Sequence, residues 1–233
     1  MVQPTPLVLV PGLLCSARLY AAQIAAVWPY GQVTVADHRR DDTMEAIAAR
    51  ILKDAPPRFA LAGLSMGGYV AFAMMRQAPE RIIKLALLDT SARPDPPEQR
   101  AGRERLIKMA QAGKLDDVVD VLMPKFLCHE SMKAEGLKKI VRDMAHDTGP
   151  EAFVRQQRAL MFRQDSRPLL SKIDCPTLVM VGEGDELTPL ELAHEMHANI
   201  LGSRLAVVPA CGHLPTIERP DEVNAAIIEW LKA

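Results

Sequence analysis

Residues 59–75 read "FALAGLSMGGYVAFAMM": an apolar run, an interruption at Gly63-Leu64-Ser65-Met66-Gly67-Gly68, then a small-residue segment of helical character. Residues 59–62 have the length and composition of a buried strand, and residues 67–77 those of a helix. The join is therefore Gly-x-Ser-x-Gly between strand and helix, the pattern of a nucleophile elbow. A non-glycine residue at the tip of so sharp a turn occupies a sparsely allowed backbone region, and its neighbours two positions away must be small. Gly63 and Gly67 meet that need. The turn lifts the Ser65 hydroxyl off the end of the strand and leaves the Met66 amide unpaired at a helix N-terminus, where negative charge is favoured. Other glycine-rich readings fail, because there is no Gly-Lys-Ser/Thr ending for a P-loop and no Gly-x-Gly-x-x-Gly for a dinucleotide.

Outward from this turn the chain alternates short β-branched runs with longer amphipathic ones, the pattern of a parallel sheet covered by helices on both faces. Strands are expected over 7–10, 33–36, 59–62, 84–88, 177–181 and 205–208. Helices are expected near 17–28, 43–54, 67–77, 189–200 and 220–232. The rhythm breaks between residues 92 and 170, where "SARPDPPEQR" leads into purely helical patterns. Leu137, Ile140, Val141 and Met144 fall at i, i+3, i+4 and i+7, and Phe153, Val154, Leu160 and Met161 outline another apolar face. The expectation is an all-helical cap insertion over 92–170, left near "DSRPLL", on a core domain of residues 1–91 and 171–233. Helices serving as ordinary cover on the sheet are the alternative.

A serine hydroxyl needs a base to take its proton, and the base needs a carboxylate to fix its tautomer. "TLVMVGEGDELTP" places Asp185 in a loop after the strand over 177–181, and "RLAVVPACGHLPTIERPDEV" places His213 after the next strand. Glu183 and Asp89 are weaker choices for the acid. His38, His129, His146, His194 and His197 fit surface or packing roles, and His194 with His197 lacks the spacing and third ligand of a metal site. The second oxyanion donor is expected after the first strand, in "LVLVPGLLCSARLY", where Gly12 lets the chain turn and Leu13 offers its amide, with Leu14 as the alternative. Cys15 and Cys211 fit small apolar fillers.

The motifs "GLSMGGYVAF", "CPTLVMVGEGDELTP" and "CGHLPTIERPDEV", in that order, resemble the α/β-hydrolase superfamily, most of all its small serine esterase and enol-lactonase-like members. The likeness spans nearly the whole chain outside residues 92–170. It implies a mainly parallel six-stranded sheet, Ser65 as nucleophile, His213 as base, Asp185 as orienting acid, Met66 and Leu13 as oxyanion donors, and no cofactor or metal. Two features depart from the pattern: Pro11-Gly12 stands where many relatives carry His-Gly, and "DHRRDDTM" replaces a glycine-rich turn. The antiparallel hairpin that opens many members is expected to be missing.

Composition bounds the rest. At 233 residues, 48% hydrophobic and 24% charged, the chain suits one soluble globular protein. Lys and Arg number 28 against 29 Asp and Glu, so nothing calls for nucleic acid. The first fourteen residues lack the basic region of a signal peptide, no run approaches a membrane span, and the four scattered cysteines are expected as reduced thiols. A cytoplasmic enzyme, monomer or homodimer, acting on a small ester-like substrate is expected, with no membrane partner. Its cap would face the substrate with Met123, Phe126, Met144, Phe153 and Met161. A lactone, a thioester, perhydrolysis, carbon–carbon bond hydrolysis and a ligand receptor on the same scaffold are the competing readings.

Overall fold

The computed structural model describes residues 4–233. Residues 1–3, and with them the start of the expected core domain and of the leader reading, lie outside the described residues. Six strands form one sheet: β1 (Leu7–Val10), β2 (Val33–Val35), β3 (Phe59–Leu64), β4 (Ile82–Leu88), β5 (Thr177–Gly182) and β6 (Arg204–Val208). Their order is β2-β1-β3-β4-β5-β6, and every neighbouring pair is parallel, so the sheet expected as mainly parallel is wholly so among the described residues.

The central strands are buried on both faces, as their continuous apolar sequences require. Side chains alternate between two cores. Leu7, Leu9, Ala60, Ala62, Leu64, Ala86, Leu88, Leu178 and Met180 enter one, whereas Val8, Val10, Phe59, Leu61, Leu85, Leu87, Val179 and Val181 enter the other.

The first core is closed by α1 (Ala21–Val27) and by the last helix, Pro220–Lys232, which supplies Val223, Ile227, Trp230 and Leu231. The second is closed by α2 (Met44–Asp54), α3 (Met66–Gln77) and the helix Leu190–Asn199. Each follows from local chemistry. Thr43 caps α2 by accepting a hydrogen bond from the Ala46 N–H at 3.2 Å, with Glu45 in the first turn where the helix dipole favours it. Lys84 on β4 donates to the Trp230 and Leu231 carbonyls at 3.1 and 2.8 Å, covering orphan acceptors at the end of the last helix.

Between β4 and β5 lie α4 (Pro97–Gln111), α5 (Leu115–Phe126), α6 (Glu135–Thr148), α7 (Pro150–Met161) and the single turn α8 (Arg167–Leu170); after β5 come α9 (Leu190–Asn199), α10 (Pro215–Glu218) and α11 (Pro220–Lys232). Val118, Val119, Met123, Phe126, Val141, Met144 and Phe153 of α5–α7 join the first core, and Ala159 and Leu160 join the second, so this segment shares the sheet's apolar interior. No described helix is long and apolar enough to cross a membrane.

Candidate active site

Ser65 stands between β3 and α3 with φ 54° and ψ −114°, a left-handed conformation outside the common wells. The backbone is over-determined there. The Ser65 N–H donates to the Leu88 carbonyl at 2.9 Å, and the Ser65 carbonyl accepts from the Gly68 N–H at 2.9 Å and the Thr90 hydroxyl at 2.8 Å. A serine before a helix ordinarily turns its hydroxyl back onto the first-turn amides. In this conformation it makes no such cap. The glycines are needed against each other and the sheet: a Cβ on Gly63 would run into the Gly67 carbonyl, and one on Gly67 into the Val10 carbonyl of β1.

The freed hydroxyl meets His213. Ser65 Oγ lies 2.8 Å from His213 Nε2, and His213 Nδ1 lies 2.8 Å from Asp185 Oδ2. Asp185 and His213 are buried, while Ser65 keeps partial access to solvent. Asp185 Oδ1 accepts from the Leu187 and Thr188 N–H groups at 2.8 and 3.1 Å, and Oδ2 accepts from the Thr188 hydroxyl at 2.6 Å. Burial opposes the charge on Asp185, but the adjacent His213 and the Thr188 hydrogen bonds outweigh it and hold the carboxyl below the ordinary range.

The histidine loop is held from two sides. Gly212 and Leu214 donate their N–H groups to buried Glu218 Oε1 at 3.0 and 3.3 Å, while the His213 N–H donates to the Phe126 carbonyl at 3.1 Å. Glu218 Oε2 accepts from the Cys128 N–H at 2.9 Å, and the Phe126 ring stacks on the imidazole, 16° from parallel with centroids 6.2 Å apart. The end of α5 thus reaches the base directly.

Across the site, neither the Leu13 nor the Met66 backbone N–H has a hydrogen-bond partner among the described residues. The Leu14 N–H is engaged, donating to Gln156 Oε1 at 3.1 Å. Cys15 is buried beside this loop with its thiol pushed up to about 12 by desolvation, and Cys211 is likewise buried and raised. Both suit fillers rather than nucleophiles. Glu183 is exposed and accepts from the Ala210 N–H at 3.3 Å, away from the imidazole's Asp185 contact.

Asp89, the other acid considered, is fully buried at the end of β4 with φ 44°. Its Oδ1 accepts from the Gly182 N–H at 2.8 Å, and its Oδ2 is buried with no partner. Burial and then the charge of Asp185 drive its carboxyl well above the ordinary range. Ligand atoms of Asp89, Asp185 and His213 lie within 4.8 Å of one another, the one such cluster among the described residues. His213 turns Nδ1 to Asp185 and Nε2 to Ser65. The three groups form a continuous hydrogen-bonded chain from the Ser65 hydroxyl to the Asp185 carboxyl.

Residues 7–226 match the family model described as the alpha/beta hydrolase family. The chain belongs to that family. Among relatives of the α/β-hydrolase chain, the pimeloyl-[acyl-carrier protein] methyl ester esterase of Neisseria meningitidis serogroup B is 31% identical, over 90% of this chain and 85% of that protein. A thermophilic esterase from Thermogutta terrifontis superposes with a TM-score of 0.90 at 31% identity, covering 99% of this chain and 92% of that one. The enol-lactonase from Burkholderia xenovorans gives 0.89 at 25% identity with the same coverage.

Sequence reasoning on this α/β-hydrolase missed Glu218 and Gln156, and it expected Phe126 to face substrate where the ring stacks on His213. Glu218 had a detectable signal, since an acid five residues beyond the histidine, at the end of one short turn, can reach back to that loop's amides. Gln156 had none, because on an amphipathic helix it looks like any other polar position, and nothing in the apolar pattern tells the contact of Phe126 with His213 from a contact with substrate.

Proposed function

We propose that the protein is a serine hydrolase that cleaves a carboxylic ester, with lactones and thioesters as chemically equivalent substrates. The observation that carries this reading is the continuous contact from Ser65 Oγ through the two nitrogens of His213 to Asp185, 2.8 Å at each step. Ser65 Oγ attacks the carbonyl carbon while His213 Nε2 takes its proton, and Asp185 stabilises the resulting imidazolium. The carbonyl oxygen gains negative charge, which the Leu13 and Met66 N–H groups receive. Collapse breaks the bond to the alcohol oxygen, and His213 returns the proton to that leaving group. Water then attacks the acyl-enzyme with the same base, releasing the acid and restoring Ser65. The relatives named as esterases and as an enol-lactonase support the substrate class.

Hydrolysis of short p-nitrophenyl esters and stoichiometric labelling by a fluorophosphonate test the reading together. The wild-type protein is expected to do both, Ser65→Ala neither, and His213→Ala to label far more slowly. Turnover retained in Ser65→Ala would refute it.

A further inference from the structure

The structure assigns Gln156 a positioning role: its side-chain carbonyl fixes the loop over residues 12–14 so that the Leu13 N–H is the donor left facing the reaction. This rests on the serine-hydrolase reading above. Gln156 sits on α7, separated from the loop by 142 residues in sequence, and is completely buried. A primary amide at such a place costs free energy unless its polar atoms are used. Its Oε1 accepts from the Leu14 N–H at 3.1 Å. Its Nε2 lies 3.2 Å from His38 Nε2, but that ring nitrogen donates to the Gly12 carbonyl at 2.9 Å and has no lone pair for the amide, so the side-chain carbonyl is the atom in use.

The loop requires external restraint. Leu14 has φ 57°, a left-handed conformation that strains a side chain of this size. Within the loop, the restraints are the hydrogen bond from the Cys15 N–H to the Gly12 carbonyl at 3.2 Å and a weak one from the Cys15 thiol to the Leu13 carbonyl at 3.4 Å. The Leu13 N–H belongs to the preceding peptide, whose Gly12 carbonyl is held by the Cys15 N–H and by His38 Nε2. Rotation of the peptide between Leu13 and Leu14 would relax the Leu14 strain and pull on that anchored peptide through the Leu13 Cα. Gln156 opposes the rotation by holding the Leu14 N–H, and His38 holds the Gly12 carbonyl on the other side. Thr148, at the end of α6, adds a contact from its hydroxyl to the Cys15 carbonyl at 3.4 Å. The helical segment between β4 and β5 therefore reaches the oxyanion loop as well as the histidine loop. Gln156 touches no reacting atom and acts only through Leu14.

The test is steady-state hydrolysis of p-nitrophenyl butyrate by full-length Gln156→Met, which keeps the shape and loses the acceptor, and Gln156→Glu, which keeps an acceptor oxygen. Removing an oxyanion donor outright costs about 10²–10³-fold, so a misaimed one is expected to lower kcat of the Met variant about 10–100-fold with KM within about twofold. The Glu variant is expected to recover most of that loss. Inhibition by an alkyl boronate, which forms a tetrahedral adduct on the serine, should weaken in step with kcat/KM for the Met variant. A merely structural role would lower thermal stability without this split, and Gln156→Ala reports the same contrast where Met does not fold. A wild-type kcat in the Met or Ala variant, or a change in KM alone, overturns the assignment while Ser65→Ala stays inactive. An active Ser65→Ala overturns the serine reading and this role with it.

Discussion

Asp89 and Asp185 follow neighbouring parallel strands, bring their carboxyl oxygens within 4.8 Å of one another and of a His213 nitrogen, and are pushed in opposite directions from the ordinary carboxylate range. Asp185 collects hydrogen bonds from Leu187, Thr188 and His213, which favour its charge, whereas Asp89 accepts from the Gly182 N–H alone and faces the Asp185 carboxyl. Two buried carboxyls this close cannot both ionise, and the charge settles on the better-solvated one. The imidazole's Nδ1 consequently has a single anion to pair with.

Asp89→Asn should stabilise the protein increasingly as pH rises. The amide keeps an acceptor for the Gly182 N–H and cannot ionise. In the wild type the folded carboxyl titrates above its unfolded value of about 3.9. Its favourable contribution is therefore complete below about 3.9 and declines as pH climbs toward the folded value. The difference in Tm between variant and wild type should be larger at pH 8 than at pH 4.5, each 1 kcal/mol reading as about 2–4 °C at this chain length. A difference that does not change with pH would show that Asp89 is already ionised.

Asp185→Asn should lower kcat about 10⁴-fold, the scale seen when a buried triad acid loses its charge. An amide NH2 facing Nδ1 forces the proton onto Nε2, which then donates to Ser65 when it must accept. Asp89 is expected not to substitute, since its charged form is disfavoured by burial. Single-turnover labelling by fluorophosphonate should fall in parallel. A loss below tenfold would mean that another acid orients the ring.

Gly63→Ala should destabilise strongly. The added methyl enters the Gly67 carbonyl, backbone that cannot step aside because Gly67 is itself pressed on Val10 of β1. Denaturant melts should show a loss of several kcal/mol, beyond the roughly 1–3 kcal/mol of ordinary overpacking, or no folded protein. Wild-type stability would contradict the fit of the elbow to the sheet.

Asp95→Ala should cost about 3–5 kcal/mol, because it strands two cations in a dry site. Asp95 Oδ1 accepts from Arg103 Nη2 at 2.7 Å and Arg163 Nη1 at 2.5 Å, and these side chains are at most 16% exposed. Burial works against the Asp95 charge, but the two guanidinium groups prevail and lower its pKa. By contrast Arg93→Ala, which breaks an exposed pair with Glu195, should cost less than about 1 kcal/mol. Urea unfolding of the two variants side by side measures the contrast.

The strand pattern was legible because Leu7 and Leu9 must face one side and Val8 and Val10 the other, whatever the rest of the chain does. Errors fell where local propensity and ladder disagree. The strand expected to stop at Ala62 runs to Leu64, since Gly63 and Leu64 still pair with Leu87 and Leu88 although glycine is a poor strand residue. The helix expected over 17–28 is a 3₁₀ turn, Ala17–Tyr20, before α1, with the buried Tyr20 hydroxyl donating to the Val10 carbonyl at 3.0 Å. That Ser65, Asp185 and His213 come into contact was legible because each follows a strand in an order the elbow predicts. Leu14 was excluded as the second donor only by its bond to Gln156, and the Asp95 cluster was invisible because an arginine on a helix has the same sequence signature whether solvated or enclosed.

The bond from the His213 N–H to the Phe126 carbonyl makes the covering helices and the chemistry inseparable by recombination. A chimera that exchanged residues 92–170 for those of a relative would alter the floor under the imidazole along with the roof over the acyl group. A replacement segment must still present a carbonyl to the His213 N–H at position 126 and an N–H to Glu218 at position 128.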